Sequence, residues 1–195
     1  MFRVPLYVAL ALAIAFGGGI GSTLSALNAS AGLGAIRVGV WSAFPQAQLA
    51  SADPYAKSHR ARAGRLLYGS AEGLTFTART DEAGNRLTGT CSYRVTGISP
   101  PARLWTLYAA DPSGLPLPTP AGLPAGANSL TVLRDAEGVF DITVSSRARP
   151  MNWVALPDTG AFTLVLTLFD TPAAGNSGLI GFEMPKVEAI GCGDE

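Results

Sequence analysis

Residues 4–36 carry no Asp, Glu, Lys, Arg or His. An uncharged run of that length at the start of a chain constrains the remainder, because it decides the solvent before any fold is considered. A helix rises about 1.5 Å per residue, so residues 5–27 reach across the roughly 30 Å hydrocarbon core of a bilayer. Residues 6–16 are dense in Leu, Ala, Val and Ile, and the run stays uncharged through Gly17, Gly18, Gly19 and Gly21 to Leu27. Arg3 is the only charge ahead of it and favours a cytoplasmic N-terminus with an exported remainder. The expected organisation is a cytoplasmic stub at 1–4, a transmembrane helix at 5–27, a linker at 28–52 and an extracytoplasmic domain at 53–195.

A cleaved secretory signal competes for the same run. Its apolar core would be residues 6–16, followed by the small-x-small sites Gly19-Ile20-Gly21 and Ala29-Ser30-Ala31. Cleavage would leave a soluble secreted domain, so both readings export the remainder. Gly17 and Gly21 have the G-x-x-x-G spacing of closely packed membrane helices, but with Gly18 and Gly19 between them they fit a helix end or a signal-peptide break better.

Lys and Arg total 14, as do Asp and Glu, and the net charge is zero. A nucleic-acid partner calls for a basic surplus, so none is expected. The 23 glycines and 14 prolines punctuate short apolar runs, the pattern of many strands joined by turns. Both cysteines, Cys91 and Cys192, fall in the exported part, where an oxidising compartment favours one bridge between them. There is no C-x-x-C, and His59 is the only histidine, so neither a multi-histidine metal site nor any cofactor is expected.

The linker at 28–52 contains Trp41 and Phe44, which either dock on the domain or sit at the membrane interface. Asp53 and Pro54 are a natural N-cap and first helical residue, predicting a short helix that ends at Gly64. Tyr55, His59, Arg60 and Arg62 lie on it, either as a patch for an anionic ligand or as a solvated face. Leu74, Phe76 and Ala78 alternate with threonines as a strand does. A turn at 81–85 leads toward a partner strand at 88–95, where Cys91, Tyr93 and Val95 share a face. A strand at 103–109 puts Trp105, Leu107 and Ala109 on one face. Segments 129–134 and 139–145 flank Asp135-Ala136-Glu137-Gly138 like the arms of a hairpin. Residues 162–169 are almost wholly apolar and read as a central strand buried on both faces. A last strand at 186–190 brings Cys192 beside the sheet. The fold class is mainly β, an antiparallel sandwich with one short helix, preceded by the transmembrane helix.

Several segments together resemble a known family. They are Asp53-Pro54-Tyr55-Ala56, Ala71-Glu72-Gly73-Leu74, Cys91-Ser92-Tyr93-Arg94-Val95-Thr96-Gly97, Pro100-Pro101-Ala102-Arg103-Leu104-Trp105, and Asn152-Trp153-Val154-Ala155-Leu156-Pro157 followed by Leu168-Phe169-Asp170. In order and spacing they resemble the bacterial domain-of-unknown-function family 1214 in its short, membrane-anchored form. That resemblance implies a jelly-roll-like β-sandwich, a cell-envelope setting and a partner protein of the 1254 unknown-function family. It brings no activity and no catalytic residues. In a bacterial envelope the expected location is the inner membrane, single-pass, with the C-terminal domain periplasmic.

Chemistry-bearing residues are sparse. Gly175-Asn176-Ser177-Gly178 approaches G-x-S-x-G, but Leu179 holds the final glycine position. Glu72, Asp81, Glu82, Asp135, Glu137, Asp141 and Asp158 include the carboxylates a glycoside hydrolase would need, yet most lie in turns. Arg103, Trp105 and Trp153 are the remaining set, either a sugar-binding surface or two core aromatics beside an ion pair. The expected function is an envelope binding or accessory module for a partner protein or a glycan, with an envelope hydrolase as the alternative.

Overall fold

Thr163–Phe169 (β9) is the axis of the larger sheet. The computed structural model describes residues 3–29, 35–45, 52–63, 72–158, 160–174 and 183–193, without the side chains of Asn28, His59, Arg60, Arg62, Ala63 and Ala174. With strands numbered in chain order, β9 lies between β3 (Gly73–Ala78) and β5 (Leu104–Ala110). Outside these lie β2 (Trp41–Ala43) and β1 (Ile36–Val38) on one side and β6 (Gly126–Asn128) on the other. All six strands run antiparallel. Six consecutive buried residues in β9 match its central place, as its uninterrupted apolar run predicts.

The smaller sheet has the order β10 (Lys186–Cys192), β4 (Cys91–Gly97), β7 (Phe140–Ser145), β8 (Asn152–Ala155). Inward residues of both sheets form one apolar cluster, including Phe76, Leu107, Leu166, Tyr93, Val95, Ile142, Val144, Val154 and Val187. Trp105 meets Phe140 across it at 5.1 Å, and Tyr93 meets Phe162 edge-on at 5.6 Å. Burying alternate residues of two facing sheets in this way supplies most of the free energy of folding.

Four local expectations are corrected. The strand after the 81–85 turn is not the neighbour of β3. Thr80 and Arg86 bridge, but β4 crosses into the other sheet and pairs with β7 and β10. The hairpin over the 135–138 turn is confined to its base, where Arg134 bridges Phe140, because Asn128 folds residues 130–132 into a turn through its side chain and carbonyl. The sheet is not wholly antiparallel, since β8 lies parallel to β7. Six residues make that connection, where parallel neighbours usually need a dozen or more, and Met151 adopts a left-handed φ of 66° at its end. Finally, β1 and β2 fall inside the segment read as a linker. Trp41 and Ala43 are buried in the core, and Trp41 Nε1 donates to the Pro185 carbonyl at 2.6 Å.

Two helices precede the main body of the domain. Arg3–Ala29 (α1) is continuous and apolar. Its Ser22 and Thr23 hydroxyls donate back to the Gly19 carbonyl, so neither is left unpaired. In Pro54–Ala63 (α2) the Asp53 carboxylate accepts the amides of Tyr55 and Ala56 at 2.7 and 3.2 Å, as an N-cap does. The expected stop at Gly64 lies outside the described residues.

Candidate functional site

The outer face of the smaller sheet carries the most organised polar surface. Strand alternation sends Tyr93, Val95, Ile142, Val144 and Val154 inward, which turns Arg94, Thr143 and Trp153 outward. Registration then sets them in line. Trp153 pairs with Thr143, Thr143 with Arg94, and Arg94 with Glu188. With strands about 4.8 Å apart, the row is about 14 Å long. Arg94 Nε meets Asp141 Oδ2 at 3.3 Å, both side chains about half exposed.

Trp153 is held firmly in this row. Its Nε1 donates to the carbonyl and the hydroxyl of Ser145, each at 3.1 Å, and the Ser145 hydroxyl donates to the Arg147 carbonyl at 2.7 Å. An aromatic plane on the same sheet face as a cation and two carboxylates suits an extended polar ligand such as a glycan or a peptide.

The structure separates the residues that the sequence grouped. Trp105 is a core residue, not a surface one. It is 1% exposed, packs on Phe140, and its indole N–H has no hydrogen-bond partner among the described residues. Arg103 is exposed at the end of the larger sheet and lies 4.0 Å from Asp170. Trp153 alone reaches the outer row. Tyr55 is exposed on α2, while the side chains of His59, Arg60 and Arg62 lie outside the described residues, as does the 175–178 loop. Arg94, Thr143 and Glu188 escaped the sequence reading, because only the register of three strand pairs aligns them with Trp153, and Asp141 entered it only as a hydrolytic carboxylate.

Three of the seven carboxylates weighed for hydrolysis have structural tasks. Asp81 accepts from the backbone and side chain of Asn85, Asp135 from the amides of Glu137 and Val139, and Asp158 from the Ser146 hydroxyl. Asp111, in the turn after β5, accepts the Ser113 hydroxyl at 2.6 Å. That bond, against an opposing effect of desolvation and with help from turn amides, holds its carboxyl below the usual range. Among the described residues no group of three or more His, Cys, Asp or Glu is placed to hold a metal ion.

Cys91 and Cys192 form a disulfide at the end of the β4–β10 ladder, where they pair directly. Two facing sheets over one core, stapled by a disulfide and preceded by an apolar helix, define an oxidised β-rich domain with an apolar N-terminal extension. The chain belongs to the family described as Protein of unknown function (DUF1214), which it matches over residues 72–173. The VPA0106 protein from Vibrio parahaemolyticus has a similar fold, with a TM-score of 0.58 at 18% identity, over 75% of this chain and 37% of its own. An uncharacterised protein from Burkholderia cenocepacia aligns with a TM-score of 0.43 at 16% identity, over 77% of this chain and 48% of its own. This chain therefore spans less than half the length of either structure. No curated protein matches the sequence.

Proposed function

We propose that this chain is a membrane-tethered cell-envelope protein whose extracytoplasmic β domain is a binding or accessory module for an envelope glycan or a partner protein. The observation that carries the reading is α1. Arg3–Leu27 is apolar enough and long enough to cross a bilayer, and of its described side chains only Leu27, at its end, is buried. Such a helix has no favourable place in water, whereas its helical backbone and back-bonded hydroxyls suit hydrocarbon. Arg3 at its start favours a cytoplasmic N-terminus, and the disulfide fits an oxidising compartment beyond the inner membrane. The two-sheet architecture fits a jelly-roll-like sandwich, and the Trp153 row supplies its ligand face. A partner of the 1254 unknown-function family is the protein candidate.

The test has two parts. Intact mass and membrane fractionation should find the full chain in the inner membrane, with a C-terminal reporter active only in the periplasm. A cytosolic C-terminus would overturn the reading. Binding to envelope glycan fragments should fall at least about tenfold in Trp153→Ala, the effect of losing about 1.4 kcal/mol. Unchanged glycan binding together with co-purification of the 1254-family protein would move the ligand face to that partner.

A further inference from the structure

We propose that the ligand of the Trp153 row is an uncharged oligosaccharide laid across the strands of the smaller sheet, stacked on Trp153 at one end and hydrogen-bonded by the Arg94–Asp141 pair toward the other. This inference rests on the reading of that row as the ligand face and names the class of ligand it takes.

Charge selects against an anion. Lys186 and Glu188 share the outward side of β10, with Val187 buried between them. Glu188 is in register with Arg94, and Arg94 Nε lies 3.3 Å from Asp141 Oδ2. Lys186 and Arg94 are therefore matched by Glu188 and Asp141, and the face has no surplus of either sign. A polymer bearing phosphates or carboxylates would bring its charges beside two carboxylates with no net attraction to offset its desolvation.

The polar groups that remain suit hydroxyls. The ion pair engages one of the five guanidinium donors and one carboxylate oxygen. Among the described residues nothing else bonds either side chain, so further donors and an acceptor stand together. Neighbouring sugar hydroxyls, which donate and accept at once, pair with that combination. The Trp153 indole N–H is already taken by Ser145, so the partly exposed ring offers its π face and no polar atom. The C–H face of a pyranose covers such a ring. Trp153 and Arg94 stand two strands apart, about 10 Å. One sugar ring covers one of these positions, and a chain covers both.

Size and topology select against a protein occupant. The face is four strands wide, and Asp141 to Ser145 set its height, which gives on the order of 200 Å². A stable protein interface buries about 800 Å² on each partner. A peptide strand adds to an open sheet edge, whereas this row crosses β4 and β7, which are paired on both sides.

The experiment uses the full, disulfide-bonded chain in phosphatidylcholine nanodiscs. Calorimetric titration employs chito-, cello- and malto-tetraose and their monosaccharides as neutral probes, and tetragalacturonate as the anionic one. At least one neutral tetraose should bind, at least about tenfold more tightly than its monosaccharide, with an affinity that raising the salt leaves unchanged. Trp153→Ala and Arg94→Gln should each weaken that binding at least about tenfold. Arg94→Gln leaves the Ser145 anchor of Trp153 in place, so its effect does not depend on the packing around the indole. Asp141→Asn/Glu188→Gln, which leaves the cations unmatched, should gain salt-sensitive binding of tetragalacturonate. Tighter binding of tetragalacturonate than of any neutral tetraose by the native chain would overturn the uncharged ligand and leave the ligand face standing. Neutral binding that survives both Trp153→Ala and Arg94→Gln would overturn the row as its site. Binding of none of these sugars would overturn the glycan reading of the face together with this inference, and would leave the anchor untouched.

Discussion

Trp41 and Trp105 are both fully buried, but they differ at one atom. The Trp41 indole N–H reaches the Pro185 carbonyl 144 residues away, while that of Trp105 has no partner among the described residues. Trp41→Phe removes a donor and leaves a buried carbonyl unsatisfied, at a cost of about 1–3 kcal/mol beyond the loss of volume. Trp105→Phe loses volume alone. Urea unfolding of the two variants should therefore show the larger destabilisation for Trp41→Phe. Sequence reading left Trp41 between docking and the membrane interface, and grouped Trp105 with Trp153. Residue type could not separate them, because each indole's surroundings come from distant segments.

At the level of elements, strand existence was legible and strand partnership was not. The period of two in 74–78 and 103–109 and the solid apolar run of 162–169 follow from which faces are buried, and each became a strand. The helix start at Asp53 followed from capping chemistry that acts within four residues. What stayed hidden was the sheet switch after β3, the parallel β8, and the three-residue strands β1, β2 and β6. Three-residue strands carry too few positions for periodicity, and their stability comes from the ladder they join.

The Cys91–Cys192 disulfide holds β10 to β4 across a sequence separation of 101. Its removal by Cys91→Ser/Cys192→Ser should cost up to about 4.7 kcal/mol on the chain-entropy account. Hydrogen exchange should quicken first in β10, an edge strand whose Gly193 amide is held by the Thr90 carbonyl. Unchanged stability and exchange would show that the Val187 and Pro185 contacts suffice to hold the strand.

Across the whole molecule, the family-matched residues 72–173 contain β3 to β9, while β1, β2 and β10 lie outside them. Those additions are tied to each other by the Trp41–Pro185 bond and to the core through Ala43 and Val187. One shared cluster implies one cooperative unit. Thermal unfolding followed by tryptophan fluorescence and by far-ultraviolet dichroism should therefore give coincident transitions. A separate early transition would mean that the sheets melt independently.

The amino-acid order by itself determined the apolar leader, the β-rich character, the cysteine pair and the family, because these depend on composition, local periodicity and motif order. Only the tertiary structure decided that the linker's Trp41 belongs to the core, that Trp105 is not a ligand residue, and that Arg94, Thr143 and Trp153 stand in one row. Those facts rest on register between strands far apart in the chain. A one-residue shift in pairing would turn every side chain to the other face, and no local signal records which register wins.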